Sequence, residues 1–203
     1  MVSQVKNSGR DNVPIDPYKE PTDTSPPAFW SPLSERDASL LKKMNSRRRF
    51  DISIVYAVAA RCSYGFPQVL VCRPQRKGGS PFPTMFWLTC PYLDHRSGEL
   101  ESLQKVAELE EILKSKETEV KNWHEQYARL RKLISGGNID IPTGVGGINW
   151  HEAPHAAKCL HLQAATLLGW RYHPAADWLV SEFGEMECSC GICSKYDFCC
   201  ENV

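Results

Sequence analysis

The sequence predicts an α+β fold: a small antiparallel β-meander of about three strands packed with several α-helices. Two patterns carry this. Between Ile52 and Thr89, three short runs rich in β-branched and aromatic residues are separated by Gly- and Pro-containing turns, as in antiparallel strands with short links. From Glu99 to Ile134, apolar residues recur at helical spacing instead. Composition agrees: 203 residues, 42% hydrophobic and 24% charged, match an ordinary globular domain able to bury a core.

Taken in order, residues 1–33 are rich in Pro, Ser, Asp and Asn, with Ser25-Pro26-Pro27 and Ser31-Pro32. They hold too little apolar surface to offset ordering entropy, so a disordered N-terminal extension is expected, with Phe29 and Trp30 able to dock locally. One globular domain is expected over 34–184. Ser34-Glu35-Arg36-Asp37 resembles a capping box ahead of Leu40, Leu41 and Met44, which predicts a short opening helix. Ile54, Tyr56, Val58, Ala60 and Cys62 then alternate onto one face of a first strand. Residues 63–67 are turn chemistry, 68–73 a second strand, and 74–83, with Gly78-Gly79, a loop. Residues 84–89 form a third strand, stopped by Pro91.

In the helical part, Leu100, Leu103, Val106, Leu109 and Leu113 form one stripe, and Val120, Trp123, Tyr127, Leu130 and Ile134 another. Lys114-Ser115-Lys116-Glu117 interrupts them, which calls for a bend or two helices. Ser135-Gly136-Gly137-Asn138 ends this region, and the Gly-rich 143–147 follows. A helix entered near Pro154 should bury Leu160, Ala164, Leu167 and Leu168, and Pro174 should start one more short helix over 175–183. Residues 185–203 form a Cys-rich C-terminal tail.

Lys plus Arg equals Asp plus Glu at 24 each, so the whole chain lends little electrostatic support to nucleic-acid binding; Arg47-Arg48-Arg49 is a local patch only. The first twenty residues lack the apolar core of a signal peptide. The longest apolar stretch, 52–60, is well short of the roughly 20 residues of a membrane span. A cytoplasmic protein is expected. There, nine cysteines should be free thiols, metal ligands or catalytic groups rather than disulfides.

Cys159 and His161 are the sharpest chemical signal. Two apart on a helix they diverge, but at a distorted helix entrance they can share a ligand, and Lys158 with the positive helix end would favour a Cys159 thiolate. Cys62 and Cys90 close the first and third strands at the same sheet end. With a strand between them their backbones start about 10 Å apart, which is wide for one tetrahedral ion. Cys72, mid-strand, reads as core. His124-Glu125 is a candidate acid/base pair, although helical neighbours diverge and a surface position is the better account of them. His151 and His155 are further ligand or cap candidates. The glycine loop before the helix matches no nucleotide fingerprint. Arg61, Arg73, Arg76, Lys77 and Lys158 offer a rim for an anionic small molecule. Cys188, Cys190 and Cys193, with Cys199-Cys200, are tail candidates for metal. The alternative for Cys62, Cys90 and Cys159 is burial as plain core cysteines.

Arg61-Cys62 with Gly65 and Pro67, Pro81-Phe82-Pro83-Thr84, Leu88-Thr89-Cys90-Pro91 and Lys158-Cys159-Leu160-His161, in this order, resemble the bacterial domain-of-unknown-function family 501 over residues 37–180. His124-Glu125 with Tyr127 is similar to that family's helical motif. Pro174 with Asp177 is similar to its closing pattern, although His173 stands where the family has Asn. The resemblance implies an uncharacterised cytoplasmic bacterial protein. Some members carry His at the position of Cys90, and Cys and His exchange chiefly as metal ligands, which implies zinc or an iron–sulfur cluster held by Cys62, Cys90, Cys159 and His161. Three functions follow as expectations. The first is a metalloprotein, with or without enzymatic action on an anionic substrate. The second is a structural or interaction protein of envelope or division biology, and the third a thiol enzyme using Cys159.

Overall fold

The computed structural model describes residues 26–45, 50–76, 81–136 and 144–197. The Arg47–Arg49 patch, Lys77, Gly78-Gly79, Cys199-Cys200 and most of the N-terminal extension lie outside them. The elements among the described residues are α1 (Glu35–Met44), β1 (Val55–Arg61), β2 (Pro67–Cys72), β3 (Phe86–Leu88), α2 (Pro91–Ser102), α3 (Lys105–Ser115), α4 (Glu117–Ile134), α5 (Leu160–Trp170) and α6 (Ala176–Phe183). The strands pair antiparallel in the order β1-β2-β3, with Val58 opposite Leu70 and Leu70 opposite Trp87. The fold is therefore the α+β meander that the strand pattern predicts.

Both faces of the sheet are covered, which the alternation in β1 alone did not reveal. Val58, Leu70 and Cys72 face Leu41 of α1 together with Ile54 and Phe82. Ala57, Ala59, Val69, Val71 and Phe86 face the main core, to which α5 contributes. In β1 two of the residues left over from the predicted stripe are the small Ala57 and Ala59, and these let a helix approach closely. On the helix side of that contact, a Cβ on Gly169 would lie 2.5 Å from Phe86 Cδ1. Every residue of α5 is buried except His161, the signature of a core helix rather than an amphipathic one.

Several boundaries move for physical reasons. Residues 26–33 are built into the fold rather than disordered. Ser31 and Val58 exchange backbone hydrogen bonds on the free edge of β1, and the Trp30 indole N–H donates to Gly169 O at 2.8 Å. The capping box forms as predicted, with the Ser34 hydroxyl accepting the Asp37 N–H. Pro91 does more than stop a strand: it sits at the start of α2, with Cys90 as N-cap, where its missing N–H costs nothing. The first helical stripe breaks early because Gln104 adopts a left-handed conformation (φ 60), leaving Leu103 66% exposed. The second break, at Lys116, falls where the polar interruption predicts it.

Helix α4 is a clamp. Its buried side chains His124, Tyr127 and Arg131 lie three and four residues apart and hold loops rather than solvent. Val145 N–H donates to His124 Nδ1 (3.0 Å), so Nε2 carries the proton and donates to Pro154 O (2.8 Å). Tyr127 Oη accepts the Met85 N–H at 2.8 Å. Arg131 donates to Pro83 O and Phe82 O, fixing the Pro81–Thr84 segment ahead of β3. The chain does not end its packing at residue 184. Gln68 Nε2 donates to Met186 O, and Cys193 is buried with Leu40 and Phe66.

Candidate functional site

The approach to α5 builds the site. The chain enters through Lys158 in a left-handed conformation (φ 61) that side-chain-bearing residues seldom hold, then Cys159 as extended N-cap (φ −161). Cys159 gives α5 no side-chain cap, so the orphan N–H groups of its first turn need another acceptor. Glu101, at the C-terminal end of α2, supplies it: its Oε1 accepts the Leu160 N–H at 2.7 Å. The same oxygen accepts His161 Nδ1–H at 2.8 Å. Glu110 Oε1 takes the Ala157 N–H at 3.0 Å, so two carboxylates from α2 and α3 pin this entrance.

Cys159, His161 and Glu101 thereby meet. One ligand atom from each lies within 4.8 Å of the other two, and all three residues are half-buried. Asp94, on the α2 face that also carries Glu101, lies 3.5 Å from His161 Nε2. The His161 imidazole is pushed up to about 9. Its hydrogen bond with the Cys159 side chain contributes most, followed by the bond to Glu101 and the Glu101 and Asp94 charges, against the opposing effect of burial. The site favours positive charge at this point.

The set of Cys62, Cys90, Cys159 and His161 does not converge on one ion. Cys90 caps the N-terminus of α2 and Glu101 lies near its C-terminus, so at 1.5 Å per residue their backbones stand about 16 Å apart. Donor atoms on a single zinc lie within about 4 Å of one another. Cys159 and His161 belong with Glu101 instead, while Cys62 packs beside Cys193. Glu101 and Asp94 carried no sequence signal, because nothing local ties them to a histidine sixty residues on.

Other candidates resolve individually. His124 is neither a surface residue nor a base within reach of solvent: it is 1% exposed, both nitrogens are bonded to backbone, and burial pushes it down to about 4. Glu125 pairs with Arg129 on the exposed side. Arg61 does not form an anion rim; its guanidinium is held by both Asp37 carboxylate oxygens at 2.8 Å. Lys158 donates to Gly146 O at 3.1 Å rather than to the Cys159 sulfur. Arg73 and Arg76 lie over the Tyr56 and Phe82 rings, away from α5. Cys72 is core as expected, its thiol pushed up to about 12 by burial. His173, at the position of the expected Asn, is buried and bonded to Gln163 Oε1 at 2.8 Å. His151 is exposed and lies tilted against the Trp150 ring, and neither it nor the half-buried His155 joins the Glu101 group.

No helix among the described residues is long and apolar enough to cross a membrane. A family model described as "Protein of unknown function (DUF501)" matches residues 58–181, starting later than the 37 expected from the motifs. No curated protein and no solved structure matches the chain.

Proposed function

Because the chain belongs to the DUF501 family, whose description carries no activity, we propose its function from the site itself: a metalloprotein that binds a divalent cation, zinc foremost, through Glu101, Cys159 and His161. The observation that carries this reading is the convergence of one carboxylate oxygen, one sulfur and one imidazole nitrogen within 4.8 Å at a half-buried helix entrance. That is a borderline-soft donor set of the kind zinc accepts. Three protein donors leave a fourth position open, as in zinc sites that act on a substrate, and an ion so placed supplies Lewis-acid polarisation of a bound oxygen. The preference for positive charge at His161 points the same way, since a cation can replace the proton there. Of the earlier readings, an anionic substrate loses support with Arg61 and Lys158 otherwise engaged.

A second reading rests on the same three residues. Glu101 accepts from His161 Nδ1 and so orients an imidazole beside Cys159, the arrangement of an activated thiol nucleophile. One experiment separates the two. Iodoacetamide labelling of Cys159, followed by mass spectrometry, is run with and without one equivalent of zinc, on wild type and His161→Ala. The metal reading expects zinc to protect Cys159 in wild type but not in the variant. Rapid labelling that zinc leaves unchanged would select the thiol reading.

A further inference from the structure

Four of the cysteines left out of this site, Cys62, Cys90, Cys188 and Cys193, gather at the opposite end of α2. The turn between β1 and β2 carries Cys62, whose sulfur accepts the N–H groups of Phe66 and Tyr64. Cys90 is the N-cap of α2, although its sulfur caps none of the helix's first N–H groups. Cys188 receives three backbone N–H groups, from Ile192, Cys190 and Gly191.

The residues around these sulfurs bring them together. Ser63 N–H donates to Glu187 Oε2 at 2.7 Å, and Tyr64 Oη–H donates to Ser189 O at 2.6 Å, so the C-terminal segment lies along the Cys62 turn. Gly191 takes a left-handed conformation (φ 57) with the Tyr64 ring where a Cβ would point. Cys193 is 5% exposed, beside Cys62, in the turn Ile192–Tyr196 that also packs against α2. Each of Cys62, Cys90, Cys188 and Cys193 is close enough to feel the charge of the other three.

We propose that Cys62, Cys90, Cys188 and Cys193 form a second metal centre, a structural tetrathiolate zinc site that fastens the C-terminal segment to the β1–β2 turn and α2. The ion draws inward four sulfurs that stand wider apart than the Glu101–Cys159–His161 donors. A closed four-sulfur site has no open position, so its role is stability rather than chemistry. The tail thereby becomes part of the domain instead of an appendage.

The test uses the full chain purified without chelator. Bound zinc is counted for wild type, His161→Ala and the double variant Cys188→Ser/Cys193→Ser. The two centres together give two equivalents in wild type and one in each variant. The zinc retained by His161→Ala is then examined by X-ray absorption, which needs no change in the tail and so does not depend on whether the double variant folds. Four sulfurs at about 2.3 Å are expected. A His161→Ala protein without zinc, or with a nitrogen- or oxygen-rich shell, overturns the tetrathiolate. Equal zinc in wild type and His161→Ala, with a four-sulfur shell in both, would sink the Glu101–Cys159–His161 reading and leave this one standing.

Discussion

Replacing His124 by Gln removes a buried titratable group while keeping a neutral side chain with a donor and an acceptor. In the folded protein His124 is held down to about 4, by burial and despite its bond to Pro154 O; the ordinary value is 6.5. A folded-state pKa below the unfolded one means that the unfolded chain binds more protons between the two. The resulting stability is fully present above pH 6.5 and is lost as pH falls toward 4. Integrating over that window, lowering the pH from 7.5 to 5 costs wild type about 2 kcal/mol through this one group. Buried His173, pushed down to about 3, acts in the same direction and is common to both proteins. Urea unfolding at pH 5.0, 6.0 and 7.5, with the two midpoint curves subtracted, isolates His124. The variant is expected to be less stable at pH 7.5, since the clamp between Val145 and Pro154 is imperfectly reproduced, but flatter by about 2 kcal/mol across the range. Parallel pH profiles for the two proteins would refute a buried, neutral His124.

Three further outcomes follow. Gly169→Ala places a methyl 2.5 Å from Phe86 Cδ1, and overpacking of about 1–3 kcal/mol should outweigh the helix-propensity gain of about 1 kcal/mol; a melting temperature at or above wild type would show that α5 and β3 are not in close contact. Tyr127→Phe leaves the buried Met85 N–H without its acceptor and should cost about 1–3 kcal/mol in urea unfolding, whereas no change would mean that Met85 finds another partner. Zinc must displace the His161 proton and any proton on the Cys159 thiol, so affinity at that site should rise at least about tenfold per pH unit from pH 6.5 toward 9 in competition titrations, and a flat profile would argue against His161 as ligand.

The sheet and the α4 stripe were legible because each rests on local periodicity or turn chemistry, whereas the helix expected to be entered near Pro154 starts only at Leu160. What escaped the sequence is long-range. The start of α2 was hidden because its buried face runs Leu93, Ser97, Leu100, with a serine in the apolar stripe. Ser97 satisfies its hydroxyl by donating to Leu93 O, so a polar letter occupies a core position. His124 looks like an exposed helix residue in the sequence for the same reason: its polar atoms are spent on the Val145 and Pro154 backbone that only the fold brings near. Glu101 joins Cys159 and His161 across the contact of α2 with α5, and no spacing rule links residues that far apart. The two ends of α2 then explain why four sequence-conspicuous residues divide between two places: Cys90 begins the helix and Glu101 lies near its close.

An anomalous difference map from crystals grown with zinc tests the metal assignment most directly. The account predicts a peak about 2.0–2.3 Å from Cys159 Sγ, a His161 ring nitrogen and a Glu101 carboxylate oxygen. Zinc bound elsewhere with that position empty, His161 still bonded to Glu101, would contradict it.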